Sequence, residues 1–277
     1  MLLRRVCVRS VLCLIVLSVL SLAAAQPIVV RPRIIQARHV IYYTDARESP
    51  GSVYKYVSGE PVAIFYSRSR GFLHSILLHW SGSEDKMYFV DANEYPGRIY
   101  MAVHTARGWY VQVVYEHHTY IRDLAWGPGT VVGNVSYPDL YFSEATGAGG
   151  NGKIYRLTNR GAELYYEVRL EDVDGFWAGH FTFAGDILYL SSGNRVPASI
   201  YRVQGGKVYK VYTGNSPICG VHYVPGPTIG KVHHPGFLYF ADFRQRIYRV
   251  DLLTWNVTTV LFDAQRQWIQ DVYVLKG

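Results

Sequence analysis

The chain has 277 residues, 49% of them hydrophobic and 18% charged, with a mean hydropathy near zero; this excludes a largely disordered chain and leaves enough length for a sizeable core. The formal net charge is +7, but Arg4, Arg5 and Arg9 account for part of it at the extreme N-terminus. No Lys/Arg run follows, which excludes a nucleic-acid-binding signature. The 24 Tyr, 11 Phe and 6 Trp, with only 3 Met, point to β structure.

In chain order, the first element is a leader. Arg4, Arg5 and Arg9 precede an apolar run from Val11 to Leu22, and Ala23-Ala24-Ala25 offers a small-residue cleavage site before Gln26. This pattern predicts a secretory signal peptide over 1–25, with an uncleaved N-terminal anchor as the alternative. The apolar run is shorter than the roughly 20 residues a membrane span needs, and no later segment is long or apolar enough for one. Cys7 and Cys13 lie in the leader, so Cys219 is the only cysteine left to an exported chain, and no internal disulfide is expected. Residues 26–39 read as a lead-in segment, and 40–277 as one repeating domain.

The repeat is a strand of the form apolar-Tyr-aromatic or apolar-Tyr-apolar. It occurs as Ile41-Tyr42-Tyr43, Met87-Tyr88-Phe89, Leu140-Tyr141-Phe142, Leu188-Tyr189-Leu190 and Leu238-Tyr239-Phe240, with central tyrosines 46, 53, 48 and 50 residues apart. A second strand follows each: Val53-Tyr54-Lys55, Ile99-Tyr100-Met101, Ile154-Tyr155-Arg156, Ile200-Tyr201-Arg202 and Ile247-Tyr248-Arg249. Third strands are predicted at 62–66, 110–116, 163–168, 207–212 and 257–262, and fourth strands at 74–80, 121–126, 178–183, 218–224 and 269–275. Four strands per 45–50 residues predict an all-β fold, a β-propeller of five blades. The chain enters at the second strand of a blade and ends on an innermost-type strand, so the C-terminal strand is expected to complete the first blade and remove an open sheet edge. Residues 28–36 offer a further strand and keep six blades open as an alternative. Between the first and second strands of a unit, Pro96-Gly97 predicts a type II turn. The acids that end the repeat strands, Asp45, Asp91, Glu144 and Asp242, are expected to cap the following turns, with a ring of acidic ligands as the alternative.

Leu78-His79-Trp80 with Met87-Tyr88-Phe89-Val90-Asp91, and Leu238-Tyr239-Phe240-Ala241-Asp242 with Arg246-Ile247-Tyr248-Arg249-Val250, resemble the YWTD and NHL class of propellers. The resemblance implies the fold. That class includes protein-binding ectodomains, RNA- or protein-binding modules and calcium-dependent lactonases, usually with six blades; no lactonase metal ligand maps onto this sequence.

Other motifs carry less. Gly147 to Gly152 spells G-x-G-x-x-G, but a strand follows it where a dinucleotide site needs a helix. Glu171, Asp172 and Asp174 lack the later ligands of an EF-hand and read as a solvated acidic loop. Arg122 reads as an internal salt-bridge partner and Cys219 as a buried, inert thiol.

Aligning the five innermost strands on His79-Trp80, Ala125-Trp126, Thr182-Phe183, His222-Tyr223 and Tyr273-Val274 places His79 and His222 in one channel-facing column. Two residues earlier, Leu77, Asp123, His180, Gly220 and Asp271 form another. Asp123, His180 and Asp271, with His79 and His222, are therefore the candidate ligand or metal site; a divalent metal such as calcium is the candidate cofactor, and capping of strand backbones is the structural alternative. His74, Tyr120, Trp177 and Trp268 are expected at the channel entrance, where they would stack on a ligand or partner. The segments 127–139 and 224–236 read as long loops sharing one face. Two functions follow as expectations: an exported, non-catalytic binding or scaffold module for a protein, glycan or cell-envelope partner, or a metal-dependent, lactonase-like hydrolase working in the channel.

Overall fold

The computed structural model describes residues 39–46, 51–66, 72–133, 135–145, 151–177, 179–193, 195–266 and 268–276. The predicted leader, the predicted lead-in apart from His39, the strand expected at 28–36 and most of the G-x-G-x-x-G segment lie outside the described residues. Among the described residues, no helix is long and apolar enough to cross a membrane.

Every described element is a strand, because the apolar-Tyr repeats alternate with period two and are punctuated by turn residues. The first blade contains β1 (His39–Asp45), β2 (Ser52–Tyr56) and β3 (Val62–Tyr66). The second is β4 (Leu73–Leu78), β5 (Lys86–Asp91), β6 (Gly97–Thr105) and β7 (Gly108–His117). The third is β8 (Asp123–Val132), β9 (Val135–Ala145), β10 (Gly152–Thr158) and β11 (Gly161–Val168). The fourth is β12 (Phe181–Ala184), β13 (Ile187–Ser191), β14 (Ala198–Gln204) and β15 (Lys207–Gly214). The fifth is β16 (Cys219–Val224), then β19 (Phe237–Ala241), β20 (Arg246–Asp251) and β21 (Val257–Phe262), with a small hairpin, β17 (Thr228–Ile229) and β18 (Val232–His233), between β16 and β19. The last strand, β22 (Ile269–Lys276), pairs antiparallel with β1 through Tyr42↔Tyr273 and Ile41↔Val274 and completes the first blade. The protein is thus a five-bladed β-propeller of four-stranded antiparallel sheets, closed by its C-terminal strand.

Burial falls from the axis outward. β4 is buried along its whole length and β22 from Ile269 to Val274, whereas the outermost strands β3, β7, β15 and β21 expose much of theirs. The apolar core lies in wedges between neighbouring sheets.

One local device recurs in all five blades. In each blade the strand next to the outermost slips by one residue against the outermost strand, between Val53 and Tyr54, Ile99 and Tyr100, Ile154 and Tyr155, Ile200 and Tyr201, and Ile247 and Tyr248. This bulge lets two consecutive residues serve two environments. The aliphatic member is fully buried each time. The tyrosine faces the aromatic residue that ends the repeat motif: Tyr43–Tyr54, Phe89–Tyr100, Phe142–Tyr155 and Phe240–Tyr248 stack with centroids 5.1–5.4 Å apart. In the fourth blade Leu190 takes the aromatic place opposite Tyr201.

Three local expectations are corrected. Tyr95-Pro96 is a cis peptide and Gly97 opens β6 in extended conformation, so no type II turn forms there. Glycine is required at 97 by close approach, since a Cβ would sit 2.4 Å from the Thr119 carbonyl oxygen. The segment 127–139 is a hairpin arm, the paired continuation of β8 and β9 through Thr130↔Tyr137 and Val131↔Ser136. Finally, β4 ends at Leu78, so His79-Trp80 lies beyond the inner strand.

Candidate functional site

The inner strands run side by side along the axis, and residues at equivalent positions form layers across it. The pairing Ser75↔Val90, Asp123↔Ser143 and Asp271↔Thr44 shows that Ser75 is the second blade's member of the layer containing Asp123, His180, Gly220 and Asp271. The sequence alignment put Leu77 there, two residues too far along. Leu77 belongs to the next layer, with Ala125, Thr182, His222 and Tyr273. His79 therefore leaves the channel column: its ring lies beyond β4, hydrogen-bonded to the Ser81 hydroxyl at 2.8 Å.

Asp123, His180 and Asp271 do come together. One potential ligand atom from each lies within 4.8 Å of the others, and all three side chains are buried. Most of their polar atoms are engaged in holding the ring. Asp271 Oδ2 accepts the Ile76 N–H at 2.7 Å and its Oδ1 accepts the Val272 N–H at 2.8 Å. Asp123 Oδ2 accepts the Phe181 N–H at 2.9 Å, and the Ser75 hydroxyl accepts the Leu124 N–H at 3.1 Å. One layer further, the Thr182 hydroxyl accepts the Tyr223 N–H at 3.2 Å and His222 Nε2 donates to the Val274 carbonyl at 3.1 Å. These links join the first blade to the second, the second to the third, and so on round to the first, closing a circle of side-chain-to-backbone hydrogen bonds. Gly220 fits this layer because it has none of its own to offer: its φ is +55°, and a Cβ would lie 2.4 Å from Asp271 Oδ1.

His74, expected at the entrance, sits instead in this layer. Its ring stacks on His180 with centroids 4.8 Å apart and planes 6° from parallel. The Gln270 amide nitrogen lies 2.9 Å from His74 Nε2 and 3.1 Å from His180 Nε2. An amide NH2 donates twice, so both Nε2 atoms accept and both Nδ1 atoms carry the proton. His74 Nδ1 accordingly donates to the Arg122 carbonyl at 2.6 Å. His180 Nδ1 points towards Asp123 Oδ2 at 3.5 Å, too far for a hydrogen bond.

Electrostatics follow from burial. Desolvation pushes the Asp123 carboxyl up to about 7, against the opposing pull of the Ser75 hydroxyl and the Phe181 and Leu124 N–H groups. Desolvation, then the charge of Asp123, raises Asp271 well above the ordinary carboxylate range. Burial lowers His180 to about 3 and His74 well below its usual value, with the Arg122 charge reinforcing both shifts, so both imidazoles are neutral near pH 7. Burial also lowers His222 to about 4. Cys219, beside this layer, is fully buried, and its thiol is pushed up by desolvation and by the carboxyls of Asp271, Asp242 and Asp123.

A calcium ion takes six to eight oxygen ligands. The cluster brings two carboxyl groups, each committed to backbone N–H donors, and an imidazole whose cluster-facing nitrogen bears the proton. This donor set does not fit calcium.

Beyond the polar layer the channel widens into a cavity of about 400 Å³, with Asp123 and Asp271 at its base and Leu77, Ala125, Thr182, His222 and Tyr273 around its wall. Trp80, Trp126, Phe183, Tyr223 and Leu275 surround its mouth. The predicted entrance aromatics lie at the other ends of the inner strands. Tyr120 is exposed, packed on Tyr95 and under the Arg122 guanidinium. Trp268 stacks on Phe243 at 5.0 Å and meets Phe72 edge-on, and Trp177 is half-buried. Arg122 donates to the Ala92 carbonyl at 3.0 Å and makes no described salt bridge.

Asp91 and Asp242 cap their turns as expected, accepting the Asn93 and the Arg244 and Arg246 N–H groups. Asp174 pairs with Lys210 at 2.6 Å. Glu144 turns elsewhere, towards His117 at 3.3 Å and the Tyr155 hydroxyl at 3.1 Å. His117 and its neighbour His118 went unremarked in the sequence, where the only available signal was two adjacent histidines at the end of an outer strand.

No family model matches the chain, and no curated protein matches it. Among solved structures, TolB from Acinetobacter baumannii is similar at 11% identity with a TM-score of 0.48, covering 86% of this chain and 66% of its own. A putative 6-phosphogluconolactonase from Bacteroides uniformis is similar at 10% identity with a TM-score of 0.44, covering 87% of this chain and 100% of its own. A protein from Lactobacillus plantarum is similar at 11% identity with a TM-score of 0.38, over 84% and 82% of the two chains.

Proposed function

We propose that the protein is an exported, non-catalytic binding module that receives a protein or glycan segment of the cell envelope at the cavity mouth of the propeller. The observation that carries this reading is the contrast between the two ends of the cavity. At its base, the groups with chemical potential are buried and hydrogen-bonded to strand backbones and to one another. At its mouth Trp80 is 43% exposed, and on the connections that follow the inner strands β8 and β16, Val131 of the β8–β9 arm is 65% and Val232 of β18 is 72% exposed. Trp80 meets Tyr137 of the β8–β9 arm edge-on at 5.8 Å, so the arm and the rim form one surface. Rigid strands with projecting hairpins that carry exposed apolar side chains suit recognition of a partner. The hydrolase alternative draws less support, because its imidazole is held neutral and its carboxyls cap strands.

The test is site-specific photo-crosslinking in cells of the native host. A crosslinker placed at Val131 or Val232 is expected to yield a discrete adduct, and one at Glu116 on an outer strand is not. Equal labelling at all three positions, or none at Val131 and Val232, overturns the reading.

A further inference from the structure

At the seam between the second and third blades, away from the axis, β7 ends on His117, His118 follows it, and Glu144 is the penultimate residue of β9. We propose that His117, His118 and Glu144 hold a divalent transition-metal ion of the zinc type, which ties the second blade to the third.

The donor set is two imidazoles and a carboxylate, with one ligand atom from each lying within 4.8 Å of the others. Zinc bond lengths of about 2.0–2.2 Å in tetrahedral array place neighbouring donors about 3.3 Å apart. His117 Nε2 and Glu144 Oε2 already stand 3.3 Å apart. The two histidine rings are 4.3 Å apart, close enough to face one ion. Nitrogen and oxygen donors with no thiolate suit zinc, nickel or copper over calcium or magnesium.

The surroundings orient these donors as metal ligands are usually oriented. The Tyr115 hydroxyl lies 3.3 Å from His117 Nδ1, leaving Nε2 for Glu144. The Tyr155 hydroxyl donates to Glu144 Oε2 at 3.1 Å. The His117 ring packs on Phe142 and Tyr155, both on the third blade, which fixes its plane. In the metal-free protein Nε2–H faces Glu144. With a metal on the Nε2 lone pair, the ring proton sits on Nδ1 and donates a hydrogen bond to the Tyr115 oxygen, so His117 stays neutral. His118 is exposed, which gives an ion a route in from solvent and leaves a fourth position for water.

The experiment uses the untagged mature protein, stripped with chelator and titrated with Zn²⁺ by calorimetry, with Co²⁺ as a spectroscopic stand-in. One equivalent of zinc is expected, with ligand-field absorption of tetrahedral cobalt and a rise in the thermal midpoint on zinc addition. Because His118 is exposed, His118→Ala should fold as wild type, which circular dichroism checks; it should weaken zinc binding at least about ten-fold and abolish the thermal rise. Asp123→Asn should retain both, separating this site from the axial cluster. Absence of zinc binding at micromolar concentrations, or equal binding by His118→Ala, overturns the proposal.

Discussion

Asp123 carries its carboxyl almost entirely out of solvent while accepting the Phe181 N–H across a blade boundary. Its raised pKa means that the folded protein holds this proton more tightly than the unfolded chain. The stabilisation is complete below the ordinary carboxylate range and is lost as pH rises through about 7. His180 and His74 act in the opposite sense, because their lowered pKa values make stability rise with pH up to the ordinary histidine range. Asp123→Asn, whose amide oxygen can still accept from Phe181, removes this titration together with the push of its charge on Asp271. Wild type is expected to lose thermal stability relative to this variant between pH 5 and 8, by several degrees. A constant difference across that range would show that the carboxyl ionises freely. The sequence made Asp123, His180 and Asp271 legible because aligning the innermost strands puts a titratable side chain two residues before the channel-facing column in three blades. It misplaced His79 and His74 because β4 slips between Leu73 and Ser75 and ends at Leu78, a shift that no residue pattern announces. Ser75 was missed because a lone serine on a buried strand has no distinguishing mark.

At the scale of the strand, the repeated Ile-Tyr pair acquires a physical meaning that spacing alone did not give. The bulge turns the tyrosine onto the aromatic residue of the neighbouring strand while the aliphatic residue stays in the wedge between sheets. Phe89→Leu reproduces in the second blade what the fourth blade already has at Leu190. It is expected to cost about 1 kcal/mol in chemical denaturation with the fold intact, the usual worth of an aromatic pair beyond its buried area. A loss several times larger would mean that the stack sets the bulge itself. The strands were legible because β-branched and aromatic residues alternate between turn signals. The β8–β9 arm was read as a loop because Gly127-Pro128-Gly129 interrupts the pattern, yet the ladder merely slips there and resumes at Thr130↔Tyr137. The His117–Glu144 seam was not legible at all, since it depends on how one blade leans on the next.

At the scale of the molecule, the ring closure was legible from phase: a chain that begins on the second strand of a blade and ends on a first strand has one economical solution. Removing 269–276 should abolish cooperative thermal unfolding and raise light scattering, because β1 becomes an open edge and the Asp271–Ile76 link disappears. A truncated chain that still melts cooperatively near the wild-type midpoint would show the closing strand to be dispensable. The same strand brings Asp271 and Gln270, without which His74 and His180 have no shared amide and Ile76 no acceptor. The axial layer is therefore complete only with β22 in place. Four of the sheets draw all their strands from consecutive stretches of chain, whereas the burial that lowers the two imidazoles depends on β22 being in place. Their loss of proton affinity is a clock for completion of the ring, one that a histidine NMR signal followed during refolding would read directly.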